Sequence, residues 1–153
     1  MRTLGLRCGP SDYAFVIIEG TQEQPQIIHK GEITCPQGYK PLAKLGWFYQ
    51  EIEDLCKKYE ISKIAIKATE PMGRSGSKVV EQRLELETIA LIAASHCGVE
   101  KAAKKVKATI AKDFGFKGKA KYLASINESA LPNIDDLSDK LKEAALAGWS
   151  DLD

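Results

Sequence analysis

Thr3-Leu4-Gly5-Leu6-Arg7-Cys8-Gly9 and Lys63-Ile64-Ala65-Ile66-Lys67 decide how this chain is read. In the first stretch Leu4 and Leu6 alternate with small or polar neighbours, the period of a strand. The second is a short apolar run of the kind that lies inside a sheet. Each closes on a basic residue. A site that holds two divalent cations about 3.5–4 Å apart needs carboxylates, and adjoining strand ends are where a sheet would present them. Arg7 and Lys67 carry only donors, cannot ligate a hard cation and would repel one. Neither strand end can therefore contribute a ligand to such a site.

Outward from the first stretch, Gly9-Pro10-Ser11-Asp12 supplies a turn. Tyr13-Ala14-Phe15-Val16-Ile17-Ile18 follows as a strongly apolar strand. Residues 20–25 form a second turn, and Gln26 to Thr34 hold a third strand around Ile27, Ile28 and Ile33, completing an antiparallel meander. Pro41 opens a helix whose Leu45, Phe48, Ile52, Leu55 and Tyr59 recur at three- and four-residue spacings. Beyond Lys67, Pro71-Met72-Gly73-Arg74-Ser75-Gly76-Ser77 reads as a loop, and a second helix runs from about Lys78 to Ser95 with Val80, Leu84, Leu91 and Ile92 inward. Val99 to Ala102 reads as a brief strand, and Lys104–Phe114 and Lys119–Asn127 as helices. After a break at Pro132, a last helix spans Asp136 to about Gly148, capped by Ser138 or Asp135. The order β-β-β-α-β-α-β-α-α predicts one α/β domain over residues 1–153, a five-stranded mixed sheet with helices on both faces.

Composition sets the outer limits. A chain of 153 residues suits one domain that buries about two-thirds of its unfolded surface. No apolar run approaches the roughly 20 residues of a membrane span. Met1-Arg2-Thr3 leads straight into a strand, so no signal peptide is expected. Cys8, Cys35, Cys56 and Cys97 are scattered, and His29 and His96 are the two histidines. Reduced thiols in a cytoplasmic protein are expected, with no metal site and no cofactor. Net charge is +1 but uneven: residues 98–127 carry eight lysines against Glu100 and Asp113, and residues 128–153 carry seven acids against Lys140 and Lys142. That asymmetry marks either a phosphate-binding face or an acidic segment folded back over a basic one.

With this element order, the chain resembles the ribonuclease H-like superfamily and, within it, the RuvC branch of Holliday-junction resolvases. Gly5-Leu6-Arg7-Cys8-Gly9 is similar to that family's first strand, which presents a metal-binding Asp in Gly-x-Asp-x-Gly. Ile64-Ala65-Ile66-Lys67 is similar to the strand that ends in a metal-binding Glu. Residues 74–94 resemble the following loop and helix, residues 99–107 and 118–121 further segments, and Glu143-Ala144-Ala145-Leu146-Ala147 the final helix with its acid. The Lys at the second strand end, with its glycine-bearing loop, also resembles a small bacterial domain family without assigned function. Carried over residue by residue, the first acid is Arg7, the second Lys67 and the third Glu143, or Asp139 or Asp136 if the register slips by a turn. Glu70, three residues past Lys67, is the candidate for a displaced ligand. The resemblance also implies a homodimer.

The charged positions admit two readings. Arg7, Lys67 and Glu143, with Glu70, form either an ion-pair cluster replacing a metal site or an anion site at a strand-end crevice. Arg74 and Lys78, on the glycine-bearing loop and the helix it enters, are candidates for backbone-phosphate contact. Lys104, Lys105, Lys107, Lys119 and Lys121, interleaved with Phe114, Phe116 and Tyr122, are candidates for nucleic acid. Either Trp47 or Tyr49 packs on a partner subunit or a neighbouring element, since aromatics occupy more than one face of their helix. Cys8, beside Arg7, is expected to have a lowered thiol pKa. The expected function is a catalytically inactive RuvC-like domain serving as a nucleic-acid-associated or protein-interaction module. Two alternatives stand beside it: a magnesium-dependent nuclease using Glu70, Asp139 and Glu143, and a small-anion or nucleotide-binding protein using the Arg7/Lys67 crevice.

Overall fold

The computed structural model describes residues 1–70, 76–117 and 120–153. Strands β1 (Arg2–Cys8), β2 (Asp12–Gly20) and β3 (Pro25–Thr34) form the meander, followed by helix α1 (Pro41–Tyr59) and strand β4 (Ile61–Lys67). Helix α2 (Ser77–His96), strand β5 (Lys101–Lys105), the short helix α3 (Lys107–Asp113), three 3-10 turns and helix α4 (Asp139–Trp149) complete the order. The sheet runs β3-β2-β1-β4-β5. The meander strands are antiparallel, and β4 and β5 are added parallel to β1. It is the mixed five-stranded sheet with helices on both faces that the element order predicts.

Alternation along β1 and β4 assigns the faces. Leu4, Leu6, Ile64 and Ile66 point to one side and pack with Phe48 and Ile52 of α1 and Leu86, Ala90 and Ala93 of α2. Ala65 points to the other side, with Ala147 of α4 and Ile110 of α3. Val16 and Ile18 of β2 meet Ala144, Ala145 and Trp149 on that second face. Helix α4 lies against β1 closely enough that a Cβ on Gly5 would collide with the Ala144 carbonyl oxygen. Gly148 packs back on the Gly5 backbone in the same way. Glycine at position 5 therefore sets how near the last helix comes to the strand that carries Arg7.

Four expectations need correction. Lys104 and Lys105 lie in β5, which spans Lys101–Lys105, and the helix after it begins only at Lys107. Lys119–Asn127 is not an α-helix; its described part is a 3-10 turn over Ala120–Ser125. The last helix starts at Asp139, with Ser138 Oγ accepting a hydrogen bond from the Leu141 amide as its N-cap, so Ser138 caps it and Asp135 does not. The inward face of α2 also differs: Leu86, Glu87, Ala90, Ala93 and Ala94 are buried, whereas Leu84 and Ile92 are exposed. Alanines let the helix approach the sheet closely, and the larger side chains turn to its rim.

Candidate functional site: a cation-lined crevice at the strand ends

The same alternation that buries Leu6 and Ile66 sends Arg7 and Lys67 to the α4 face. The parallel register pairs Gly5 with Ala65 and Leu6 with Ile66, so Arg7 and Lys67 close neighbouring strands side by side. They open into a cavity of about 280 Å³ lined by Arg7, Lys67, Ala68, Glu70, Arg83, Lys107 and Glu143. Four cations and two carboxylates face this space. Arg7 Nε donates to Glu143 Oε2 at 2.9 Å. Lys67 Nζ donates to Glu70 Oε2 at 2.7 Å and to the Ala68 carbonyl at 2.8 Å. The expected set therefore divides into two pairs: Glu143 answers Arg7, and Glu70 answers Lys67.

Glu70 also accepts from the Lys107 backbone amide at 3.3 Å. Burial works to raise its carboxyl pKa, but the bonds from Lys67 and from that amide outweigh it and hold the group below its ordinary value. Arg83 is the residue that sequence reasoning missed. It reaches from α2 to the end of β1, where its Nε donates to the Cys8 carbonyl at 2.8 Å. No carboxylate lies within ion-pair distance of it among the described residues. Burial, and then the neighbouring Arg7, act against its charge and lower its pKa. No signal in the sequence distinguishes Arg83 from an ordinary solvated helix residue; its position follows from the close packing of α2.

The lysine-rich segment is divided by the strand alternation of β5. Lys104 turns toward α2 and pairs at 2.9 Å with Glu87, which is fully buried and also accepts from the Thr69 amide and hydroxyl. Lys105 turns toward α4 and is buried, pairing with Asp151 at 2.7 Å and Asp113 at 2.8 Å and donating to Ser150 Oγ. Lys105 is therefore not offered to a ligand, contrary to expectation: its ammonium is the centre of a closed cluster. Lys101 joins the same Asp151 at 2.9 Å, and Lys63 reaches Asp153. The acidic terminus does fold back over part of the basic segment. Burial works to raise the Asp151 carboxyl, but its bonds from Lys105 and Lys101 prevail and hold it low.

Other positions separate from the crevice. Asp139 and Asp136 are exposed and do not line it. Lys78 and Lys121 are exposed, and Lys107 lies at the crevice edge. Arg74 and Lys119 lie outside the described residues. Trp47 packs on Tyr13 and Phe48, and Tyr49 meets His96 edge-on, so both find partners within the chain. Cys8 corrects another expectation: burial, first, and then the Glu87 charge push its thiol pKa up, and Arg7 does not reverse this. All four cysteines are free thiols.

The residues present do not fit two metal ions. The strand ends carry an arginine and a lysine, and Glu70 and Glu143 are each engaged by a cation. Among the described residues, no three His, Cys, Asp or Glu side chains come together as a metal site would require. No helix among them is long and apolar enough to cross a membrane.

No protein-family model matches the sequence, and no curated protein matches it either. The fold does have counterparts among solved structures. Thermus thermophilus RuvC aligns with a TM-score of 0.75 over 98% of this chain and 92% of its own, at 12% identity. T. thermophilus RuvC in complex with Holliday junction substrate gives 0.70 over 98% and 91%, at 11% identity. The yeast mitochondrial Holliday junction resolvase Ydc2 gives 0.62 over 97% and 76%, at 13% identity. This chain therefore has the RuvC-like form of the ribonuclease H fold, and at these identities the likeness is one of fold.

Proposed function

We propose that this chain is a RuvC-like domain that binds nucleic acid without cutting it, having exchanged the two-metal site for a cation-lined crevice. One observation carries the reading: Arg7 and Lys67 end the two central parallel strands and face one cavity together with Arg83 and Lys107. Phosphate is the anion that such a set of guanidinium and ammonium groups suits best. A fold shared with a protein whose structure holds Holliday junction substrate makes branched DNA the first nucleic acid to try. The magnesium-dependent alternative loses one of its three carboxylates, because Asp139 does not line the crevice.

The experiment is DNA binding by fluorescence anisotropy in EDTA over a range of salt, with branched and single-stranded DNA. Binding that weakens steeply with salt, and less steeply in Lys107→Ala, supports the reading. Absence of binding at low salt overturns it. Lys104→Ala is a poor variant for this purpose, since it would leave Glu87 buried without its ammonium.

A homodimer is part of the same proposal. The groove between α1 and α2, lined by Leu45, Val80, Leu84 and Ile89, supports it as the face a second copy would cover. Analytical ultracentrifugation of wild type and Leu84→Glu tests this: a dimer that dissociates in the variant is expected, and a monomeric wild type contradicts it.

A further inference from the structure

We infer that the crevice holds a phosphate group directly, and that Glu143 is a built-in anion which the phosphate displaces from Arg7. This deepens the nucleic-acid reading and rests on it for the source of the phosphate. Arg7, Lys67, Arg83 and Lys107 face Glu70 and Glu143, leaving two cations in excess within a partly buried space. Arg83 is anchored by a backbone carbonyl and makes no ion pair with a carboxylate among the described residues; Glu87 and Glu143 act on its charge only from beyond ion-pair distance. An arginine fork that holds its neighbour through Nε keeps its terminal nitrogens for a second anion.

The two carboxylates are held differently. Glu70 takes both Lys67 Nζ and the Lys107 amide, and so belongs to the wall of the crevice. Glu143 is held by Arg7 Nε among the described residues, and its side chain is 36% exposed. Turning it out to water breaks one hydrogen bond and rehydrates the carboxylate, whereas a phosphate entering its place gains two guanidinium groups against its own desolvation. The cavity, about 280 Å³, admits a phosphate and its immediate substituents and lies just below the usual range for drug-sized ligands. The remainder of a nucleic acid would lie outside it, toward exposed Lys107.

This places Glu143 in a role opposite to that of a metal-binding acid. If it ligated a cation needed for binding, removing its charge would weaken binding; as a competitor of the phosphate, removing its charge strengthens it. The test measures inorganic phosphate by calorimetry, and a single-stranded oligonucleotide and a four-way junction by anisotropy, all in EDTA. Four proteins are compared: wild type, Glu143→Gln, Arg83→Gln and Glu19→Gln. Glu19 is the control, because it pairs with Arg2 at the opposite end of β1 and its loss changes net charge identically. Circular dichroism establishes that each is folded, and Lys107→Ala, at an exposed position, replaces Arg83→Gln if that variant is not.

Affinity is expected to rise about tenfold in Glu143→Gln, fall about tenfold in Arg83→Gln and stay level in Glu19→Gln, a tenfold step being about 1.4 kcal/mol. Unchanged or weaker phosphate binding in Glu143→Gln overturns the inference. So does a gain in Glu19→Gln equal to that in Glu143→Gln, which would reduce the effect to net charge. DNA that binds all four proteins equally also overturns it, while leaving the nucleic-acid reading intact on another surface. Phosphate that follows the expected pattern without any DNA binding keeps the crevice as a free-phosphate site and removes the nucleic-acid reading.

Discussion

Two charged clusters sit on the same face of the sheet, and they differ in how they are finished. Around Asp151, the Lys105 and Asp151 side chains are each 3% exposed, with Lys101, Ser150 and Asp113 beside them, and Asp151 Oδ2 is left without a hydrogen-bond partner among the described residues. Around Arg7, the pairs are looser: Arg7 is 18% exposed and Glu143 36%, cations outnumber acids, and a cavity remains. A cluster whose work is structural closes on itself, because a buried ion left unmatched is costly. A cluster that keeps excess charge and open space has room for an anion, which is the reading proposed above for Arg7 and its neighbours.

The sharpest way to break that comparison is to remove Asp151. Asp151→Ala leaves buried Lys105 with Asp113 and Ser150 but without its buried counter-ion, and is expected to cost about 3 kcal/mol of stability. Across a domain of this size that is a fall in Tm of roughly 9 °C by calorimetry, with phosphate affinity per folded molecule unchanged. Next is Gly5→Ala, which drives a Cβ into the Ala144 carbonyl and forces α4 outward. A loss of about 2 kcal/mol in denaturant unfolding is expected, the usual scale of overpacking. Because α4 carries Glu143, this variant is also expected to weaken the Arg7 pair. Arg83→Gln, by contrast, removes a cation with no ion-pair partner among the described residues and one hydrogen bond to the Cys8 carbonyl, so its unfolding free energy is expected to fall by about 1 kcal/mol while anion binding falls.

The smallest effect is on pH dependence. Glu70 and Asp151 both have folded-state pKa values below their ordinary 4.5 and 3.8. The unfolded chain therefore takes up protons first as pH falls, and the stability these groups contribute above pH 4.5 is lost as pH drops through and below that range. Tm measured from pH 6 down to about pH 3 is expected to fall more steeply in wild type than in Asp151→Asn, whose closed cluster no longer titrates. Equal slopes would mean that Asp151 is not held low.

The sheet was legible because its central strands are apolar and regular, and the strand ends at Arg7 and Lys67 could be read directly from that alternation. Their acid partners were legible as a set but not as pairs, since a chain read residue by residue does not tell which carboxylate reaches which cation. Lys104 and Lys105 depart from the helix expected of them for a physical reason: Lys and Ala are good helix formers, and pairing with β4 overrides that local preference. Arg83 and Glu87 were invisible because charged residues on a helix ordinarily mark its solvated face. Here the alanine-rich side of α2 brings them down onto the strand ends. Asp151 lies just past the last helix, where nothing local announces a buried carboxylate.

One measurement bears most directly on the central claim that this RuvC-like fold engages DNA without metal-dependent cleavage. Four-way junction DNA, labelled on one strand, is incubated with the protein in EDTA and in magnesium, and binding and strand integrity are read from native and denaturing gels. Equal binding in both conditions with the strands intact is the result predicted. Strand scission that requires magnesium and disappears in Glu143→Ala would contradict it.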